Sequence, residues 1–329
     1  MPFRPNTGKT DMKRRQFLSL APAAGLAALP AGIAPAAGHG GAPALHEAQR
    51  RSVGDITVTA LSDGGISLGH APLQGISEED YAAILRAGFH DPAGYTSGVN
   101  AFLVETGALK VLVDAGTGGF FGPEVDNLPA NLAATGVAPG DITHVFATHL
   151  HPDHVGGALR DGAAVFPAAE LVVHEADRAF WGDEGRFADG PEMMQAFAGL
   201  SQAVLAAYGD RLRVFDAETE IAPGLTALPL PGHTPGHSGL MIASGNDALL
   251  IWADIVHVAP VQLARPEVTI GFDVDPAQAA ASRAAILDRV AAERLLVAGS
   301  HIPFPGLVHI AADGSGYRAV PAAFDYAAN

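Results

Sequence analysis

The sequence of 329 residues predicts an α/β fold, with two β-sheets packed face to face and helices covering their outer faces. Three observations lead there. A strand-rich stretch and then helical segments occur once in each half of the chain. In both halves, strands end in loops that carry histidine or aspartate, as though both sheets delivered side chains to one edge. The composition, 48% hydrophobic and 16% charged, supports a core large enough for a layered domain.

The N-terminus stands apart from that domain. Lys13-Arg14-Arg15-Gln16-Phe17-Leu18 precedes an Ala/Leu/Pro/Gly-rich run from Ser19 to Ala37, in which Ala34-Pro35-Ala36 offers a small-residue cleavage site. The paired arginines resemble a twin-arginine export signal. Residues 1–37 are therefore expected to engage the twin-arginine export machinery and send the chain to the periplasm or the exterior. Pro22, Gly25, Pro30 and Gly32 interrupt the run, which argues against a stable membrane span. Residues 38–54 read as a linker and 55–329 as one domain.

The domain opens with Ile56–Leu61, an alternating strand, and Ser62-Asp63-Gly64-Gly65 reads as a turn. Glu78–Ala87 reads as a short helix. Asn100–Glu105 and Lys110–Asp114 are strands joined by a turn at Gly107, and Asp114–Gly119 is a glycine-rich loop without the pattern of a phosphate loop. Asn127–Thr135 is a helix, and Ile142–Ala147 a buried strand. In the second half, Glu170–His174, Leu212–Phe215, Leu225–Leu228, Leu240–Ala243, Ala248–Asp254 and Leu295–His301 read as strands. Glu175–Trp181, Glu192–Tyr208 and Pro276–Ala292 read as helices.

The chemistry concentrates in Thr148-His149-Leu150-His151-Pro152-Asp153-His154-Val155-Gly156-Gly157. Three histidines and an aspartate within six residues, at the end of a buried strand, place imidazole and carboxylate ligands in one cleft, a set suited to zinc and other first-row metals. His149 and His151 point the same way if strand geometry persists to its end. Pro152 stops the ladder, freeing Asp153 and His154 to turn toward a second position, and Gly156-Gly157 allows a tight turn. The chain has no cysteine, so the metal is held by nitrogen and oxygen alone and no disulfide framework exists. A net charge of −16 opposes nucleic-acid binding.

Thr-His-x-His-x-Asp-His is followed by Gly232-His233-Thr234-Pro235-Gly236-His237, by Ala253-Asp254 and by Ser300-His301. This four-part pattern, running from about residue 55 to the C-terminus, resembles the metallo-β-lactamase superfamily. The resemblance implies a four-layer αβ/βα sandwich with a binuclear centre. It implies one metal held by His149, His151 and His233, another by Asp153, His154 and His301, and Asp254 bridging them. The lactamases proper carry cysteine or serine, not a bridging aspartate, at corresponding positions. Asp254 therefore points to the lactonase, glyoxalase II and phosphotriesterase-like branches. Thr96–Asn100, Phe120-Phe121-Gly122-Pro123 and His301–Gly306 resemble the methyl parathion hydrolase-like branch in particular.

Two divalent ions, with zinc first and manganese, cobalt or iron as alternatives, would share and acidify a water that attacks a carbonyl or phosphoryl centre. Asp153 or Asp254 could relay a proton to the leaving group. His237 reads as orienting its loop, and Asp114 as either supporting a ligand histidine from behind or capping its loop. His144, His174, His257 and His309 read as structural or surface residues. Phe120, Phe121, Trp181, Phe197 and Phe304 are expected to wall a hydrophobic pocket for small aryl esters, lactones or aryl phosphotriesters, in a chain that could form a homodimer. A glyoxalase II-like thioesterase and a mononuclear iron persulfide dioxygenase use similar ligands and stand as the alternatives.

Overall fold

Strand Leu109–Val113 shows how side-chain alternation builds the layers. Leu112 faces one way, into a cluster with Leu103, Val145 and Leu171; Val111 and Val113 face the other, among Leu240, Ile242 and Ile251. A strand buried on both faces reads as a continuous apolar run, which is how Leu112 and its neighbours stand in the sequence. The structure, a computed structural model, describes residues 46–329. The export segment read over residues 1–37 lies outside the described residues.

Two seven-stranded sheets form the centre. The first runs Ala48–Val53, Ile56–Leu68, Tyr95–Thr106, Leu109–Val113, His144–Phe146, Glu170–His174, Leu212–Phe215; its first four strands are antiparallel and the rest parallel. The second runs Thr219–Ala222, Leu225–Pro229, Ser238–Ser244, Asp247–Ala253, Leu296–Gly299, Leu307–Asp313, Gly316–Pro321, with one parallel pair, Asp247–Ala253 beside Leu296–Gly299. The inner faces meet through Val58, Phe102 and Val113 of the first sheet and Ala227, Leu240 and Ile251 of the second. Helices Leu128–Ala134 and Glu192–Tyr208 cover the outer face of the first sheet, and helix Pro276–Glu293 covers that of the second. The result is the αβ/βα sandwich.

Three local expectations are corrected. Strand Ala48–Val53 pairs with Ile56–Leu61 inside the stretch read as linker, so the folded domain begins earlier than residue 55. Ser62–Gly65 is no turn: the strand continues to Leu68 through a bulge between Ser62 and Gly64, which absorbs the glycines without reversing the chain. The strand before the histidine cluster spans only His144–Phe146.

The parallel pairing aligns the strand ends. Val113 pairs with Phe146, so the segments after both leave the sheet at one edge, while the Gly107 turn that feeds Leu109–Val113 lies at the other. In the second sheet Asp247–Ala253 and Leu296–Gly299 also end together, with the Gly245 turn at the far end. Among the described residues, no helix is long and apolar enough to cross a membrane.

Candidate metal centre

His149, His151, Asp153 and His154 follow strand His144–Phe146 at that shared edge. The strand ends three residues short of His149, so the first two histidines sit on a loop, not on one strand face. They still converge: His149 Nε2 lies 3.0 Å from His151 Nδ1. His151 precedes the short helix Pro152–Val155, whose first residue is a proline that needs no hydrogen-bond partner for its nitrogen. Gly156 and Gly157 serve close approach and not a left-handed turn. A Cβ on them would stand 2.1 Å from the Thr117 carbonyl oxygen and 2.0 Å from that of Ala115, so the glycine-rich loop can press against the ligand segment only where side chains are missing.

The second sheet supplies the rest. His233 comes from the loop after Leu225–Pro229, and its Nε2 lies 3.0 Å from His151 Nδ1, completing a tripod of nitrogens with His149. Asp254 follows a bulge in which Ala253 takes φ 52°, a left-handed conformation unusual for alanine that re-aims the next residue. Its Oδ2 stands 3.6 Å from His149 Nε2, 3.4 Å from His233 Nε2 and 3.1 Å from His301 Nε2, and its Oδ1 3.3 Å from His154 Nε2. Asp153 Oδ2 lies 3.5 Å from His154 Nε2 and 3.4 Å from His301 Nε2. Thus the structure gathers all seven expected ligands, with Asp254 touching both groups.

The surroundings fix which nitrogens point inward. His154 Nδ1 meets Asp114 Oδ2 at 2.7 Å, His233 Nδ1 meets Asp273 Oδ1 at 2.9 Å, and His301 Nδ1 meets the Gly98 carbonyl at 2.7 Å. Each outer contact accepts the ring N–H and leaves the Nε2 lone pair facing the cluster, the arrangement common behind metal-binding histidines. His237 differs. Its Nδ1 donates to the Leu230 carbonyl and its Nε2 accepts the Asp254 backbone N–H, so both nitrogens are occupied. Burial pushes its imidazole down to about 3, consistent with a neutral ring that orients the Asp254 segment.

A metal fits this donor set. His154 Nε2 and Asp254 Oδ1 are buried without a hydrogen-bond partner, a costly condition that coordination relieves. Burial lowers the pKa of His149 and His151 well below the usual histidine range, keeping lone pairs available. Burial also disfavours charge on His154, yet Asp254, Asp153 and Asp114 together raise its pKa well above the usual value. The carboxylates demand positive charge there, and a divalent cation can supply it in place of a proton.

A model of the metallo-beta-lactamase superfamily matches residues 94–301, more than half of the chain. The chain belongs to the metallo-beta-lactamase superfamily. Hydrolase AbOPH, described as in the beta lactamase superfamily, superposes with a TM-score of 0.80 at 31% identity over 86% of this chain and 99% of that one. AidC, a dizinc quorum-quenching lactonase solved with a product, superposes with a TM-score of 0.79 at 27% identity, over 85% of this chain and 99% of that one. An N-acyl homoserine lactonase of Bacillus cereus is 25% identical over 128 residues, 39% of this chain and 44% of that protein. This chain thus spans less than half the length of such curated lactonases.

In this superfamily member a small cleft opens over the metal donors. Phe121 and Phe197 line it, with Ile66, Leu68, Met193 and Phe272. Phe120 stands just behind, edge-on to both Phe121 and Phe197 at centroid distances of 5.1 and 5.8 Å. Two expected wall residues are elsewhere. Trp181 is fully buried, stacked on Phe187 and edge-on to the His151 ring, so it backs a ligand and faces no substrate. Phe304 packs against the inter-sheet core and borders a separate groove beside Phe89.

Among the site residues that escaped the sequence reading, one is a histidine. His257, read as structural or surface, is 4% exposed, lines the cleft and places Nε2 3.2 Å from Asp254 Oδ2. Its ring stacks on His301, and its Nδ1 is buried without a hydrogen-bond partner. Burial pushes its imidazole down to about 4 despite Asp254. The available signal was spacing: a histidine three residues after Asp254, in the turn that leaves the strand.

Proposed function

We propose that the chain is a metal-dependent hydrolase of lactones and aryl esters, with aryl phosphotriesters as a further substrate class. One observation carries this reading: two donor groups joined through Asp254 lie beneath an apolar cleft whose wall contains no lysine or arginine among the described residues. His149, His151 and His233 would hold one divalent ion, Asp153, His154 and His301 another, and Asp254 both, with zinc as the first expectation. When bound, such a pair supplies an acidified water and an electrophile for the attacked oxygen. The protein does the remainder. Asp114, Asp273 and the Gly98 carbonyl hold the imidazoles in one orientation. Phe121, Phe197 and Phe272 bury the apolar part of the substrate and thin the water around the reacting bond. Asp153, the most exposed of the carboxylate ligands, faces the cleft and is placed to take a proton toward the leaving group.

A wall without lysine or arginine disfavours a glutathione thioester, whose carboxylates need cationic partners, and charged nucleotides likewise. The zinc-loaded protein is to be assayed with a lactone, an aryl ester, an aryl phosphotriester, a glutathione thioester and a β-lactam, before and after chelation. Chelator-sensitive turnover of the first two, restored by zinc, supports the reading. Preference for the thioester, or oxygen uptake with one bound iron, would replace it with the thioesterase or the persulfide dioxygenase. Residues 1–37 are further proposed to direct export. Replacing Arg14 and Arg15 with lysine should then retain the chain in the cytoplasm.

A further inference from the structure

Asp177 is a buried acid that takes no part in the donor groups. It lies in the first turn of helix Glu175–Trp181 and has no exposed surface. Its two carboxylate oxygens serve different loops: Oδ2 accepts the Leu150 backbone N–H at 3.0 Å, and Oδ1 accepts the Gly236 N–H at 2.6 Å. Leu150 separates His149 from His151. Gly236 lies between His233 and His237. A single side chain therefore ties the histidine loop of the first sheet to that of the second.

Those two loops are the ones across which the nitrogen tripod forms, His151 Nδ1 standing 3.0 Å from His233 Nε2. A backbone bond from Ser238 N to the Thr148 carbonyl, 2.9 Å, runs beside the carboxylate. The contact is also built sterically. A Cβ at Gly236 would lie 2.6 Å from the Asp177 nitrogen and 2.9 Å from His174 Cβ, so the loop reaches the carboxylate only with glycine there. Burial pushes the Asp177 carboxyl up to about 6, which leaves it mostly ionised at neutral pH and able to accept on both oxygens.

We propose that Asp177 is a positioning residue that sets the separation of the two histidine loops and so governs how firmly the His149–His151–His233 tripod retains its metal. The inference rests on the metal-site reading above and adds a residue that touches neither metal nor substrate. Asp177→Asn keeps the shape but turns an N–H toward an N–H, because a carboxamide offers one accepting oxygen where the carboxylate offers two. One loop must let go. The Asp153, His154 and His301 group has no bond to Asp177 and keeps its arrangement.

The test uses the zinc-loaded full chain of wild type, Asp177→Asn, Gly236→Ala and Leu205→Ala. The last removes a buried side chain of the neighbouring helix and controls for general loss of stability. In Asp177→Asn, the amide of Leu150 or Gly236 should exchange with deuterium at least tenfold faster. One zinc per chain should pass to a chelator roughly 10–100-fold faster than in wild type, as for lost support of a metal ligand, while the other is released as before. Gly236→Ala should show the same pattern and Leu205→Ala neither change. Unaltered protection of both amides in Asp177→Asn, or equal zinc loss in Leu205→Ala, would overturn the proposal. The amide readout does not depend on the number of metals. A wild type that holds a single zinc would therefore overturn the two-metal reading alone, and exchange would still decide the role of Asp177.

Discussion

Nδ1 of His154 lies 2.7 Å from Oδ2 of Asp114, and neither side chain is more than 3% exposed. The same carboxylate group accepts the Thr148 backbone N–H at 2.9 Å through Oδ1 and the Thr148 hydroxyl at 2.9 Å through Oδ2. Asp114 itself takes φ 60°. It therefore supports a ligand from behind, one of the two roles that the sequence left open, and its other bonds tie down the histidine loop at Thr148 instead of capping its own glycine-rich loop.

Asp114→Asn should weaken metal retention about 10–100-fold, the usual cost of losing a carboxylate behind a metal-binding histidine. Chelator competition on the purified variant measures this directly. Retention equal to wild type would show that the hydrogen bond to His154 does not tune the metal.

Asp254→Ala should abolish turnover and remove at least one metal, because Asp254 touches both donor groups. His237→Ala should cost much less, since both ring nitrogens are engaged by the Asp254 backbone N–H and the Leu230 carbonyl and the ring offers no lone pair to the donor groups. Metal analysis should find about two ions per wild-type chain. Equal losses in the two variants would assign His237 a direct role.

His257→Ala offers a sharper division. If the ring belongs to the cleft wall and not to the ligand set, metal content stays at the wild-type level while kcat/KM changes between bulky and small esters. A fall in metal content would instead make His257 a ligand beside His233 and Asp254, a grouping that the geometry permits.

The aromatics separate by position. Phe121→Ala or Phe197→Ala should weaken aryl substrates by about 1–3 kcal/mol in kcat/KM relative to methyl esters, the worth of a lost apolar contact. Trp181→Ala should lower folding stability by about 3–5 kcal/mol and affect all substrates alike. Melting temperatures with paired kinetics for an aryl and a methyl ester decide between the two behaviours.

The ligands were legible in the sequence because each ligand-bearing segment follows an apolar run, and the order of the strands brings the ends of those runs to one edge. Their orientation was not. Trp181 and Phe304 are aromatic and near ligands in the chain, yet aromatic character says nothing about which way a ring faces. Strand Ala48–Val53 was hidden for another reason. Its sequence, Ala-Gln-Arg-Arg-Ser-Val, has little apolar pattern, because it is an edge strand held by distant partners: the Ser52 N–H donates to Asp325, and Asn329 bonds both the N–H and the carbonyl of Arg50. Asp177 and Asp273 were invisible since isolated acids carry no spacing signal.

The turns at Gly107 and Gly245 begin strands whose other ends lead to the donors, and a Cβ at either glycine would meet nothing within 4 Å. The molecule thus keeps its chemistry on one rim and open turns on the other, where the glycines hold left-handed φ of 57° and 62° that other residues rarely adopt. New peptide could be spliced in at these turns, or the chain cut and rejoined there, with the donor loops left undisturbed. A fusion partner or surface tether attached at Gly107 or Gly245 would stand a full strand length from the cleft, leaving the entrance clear for substrate.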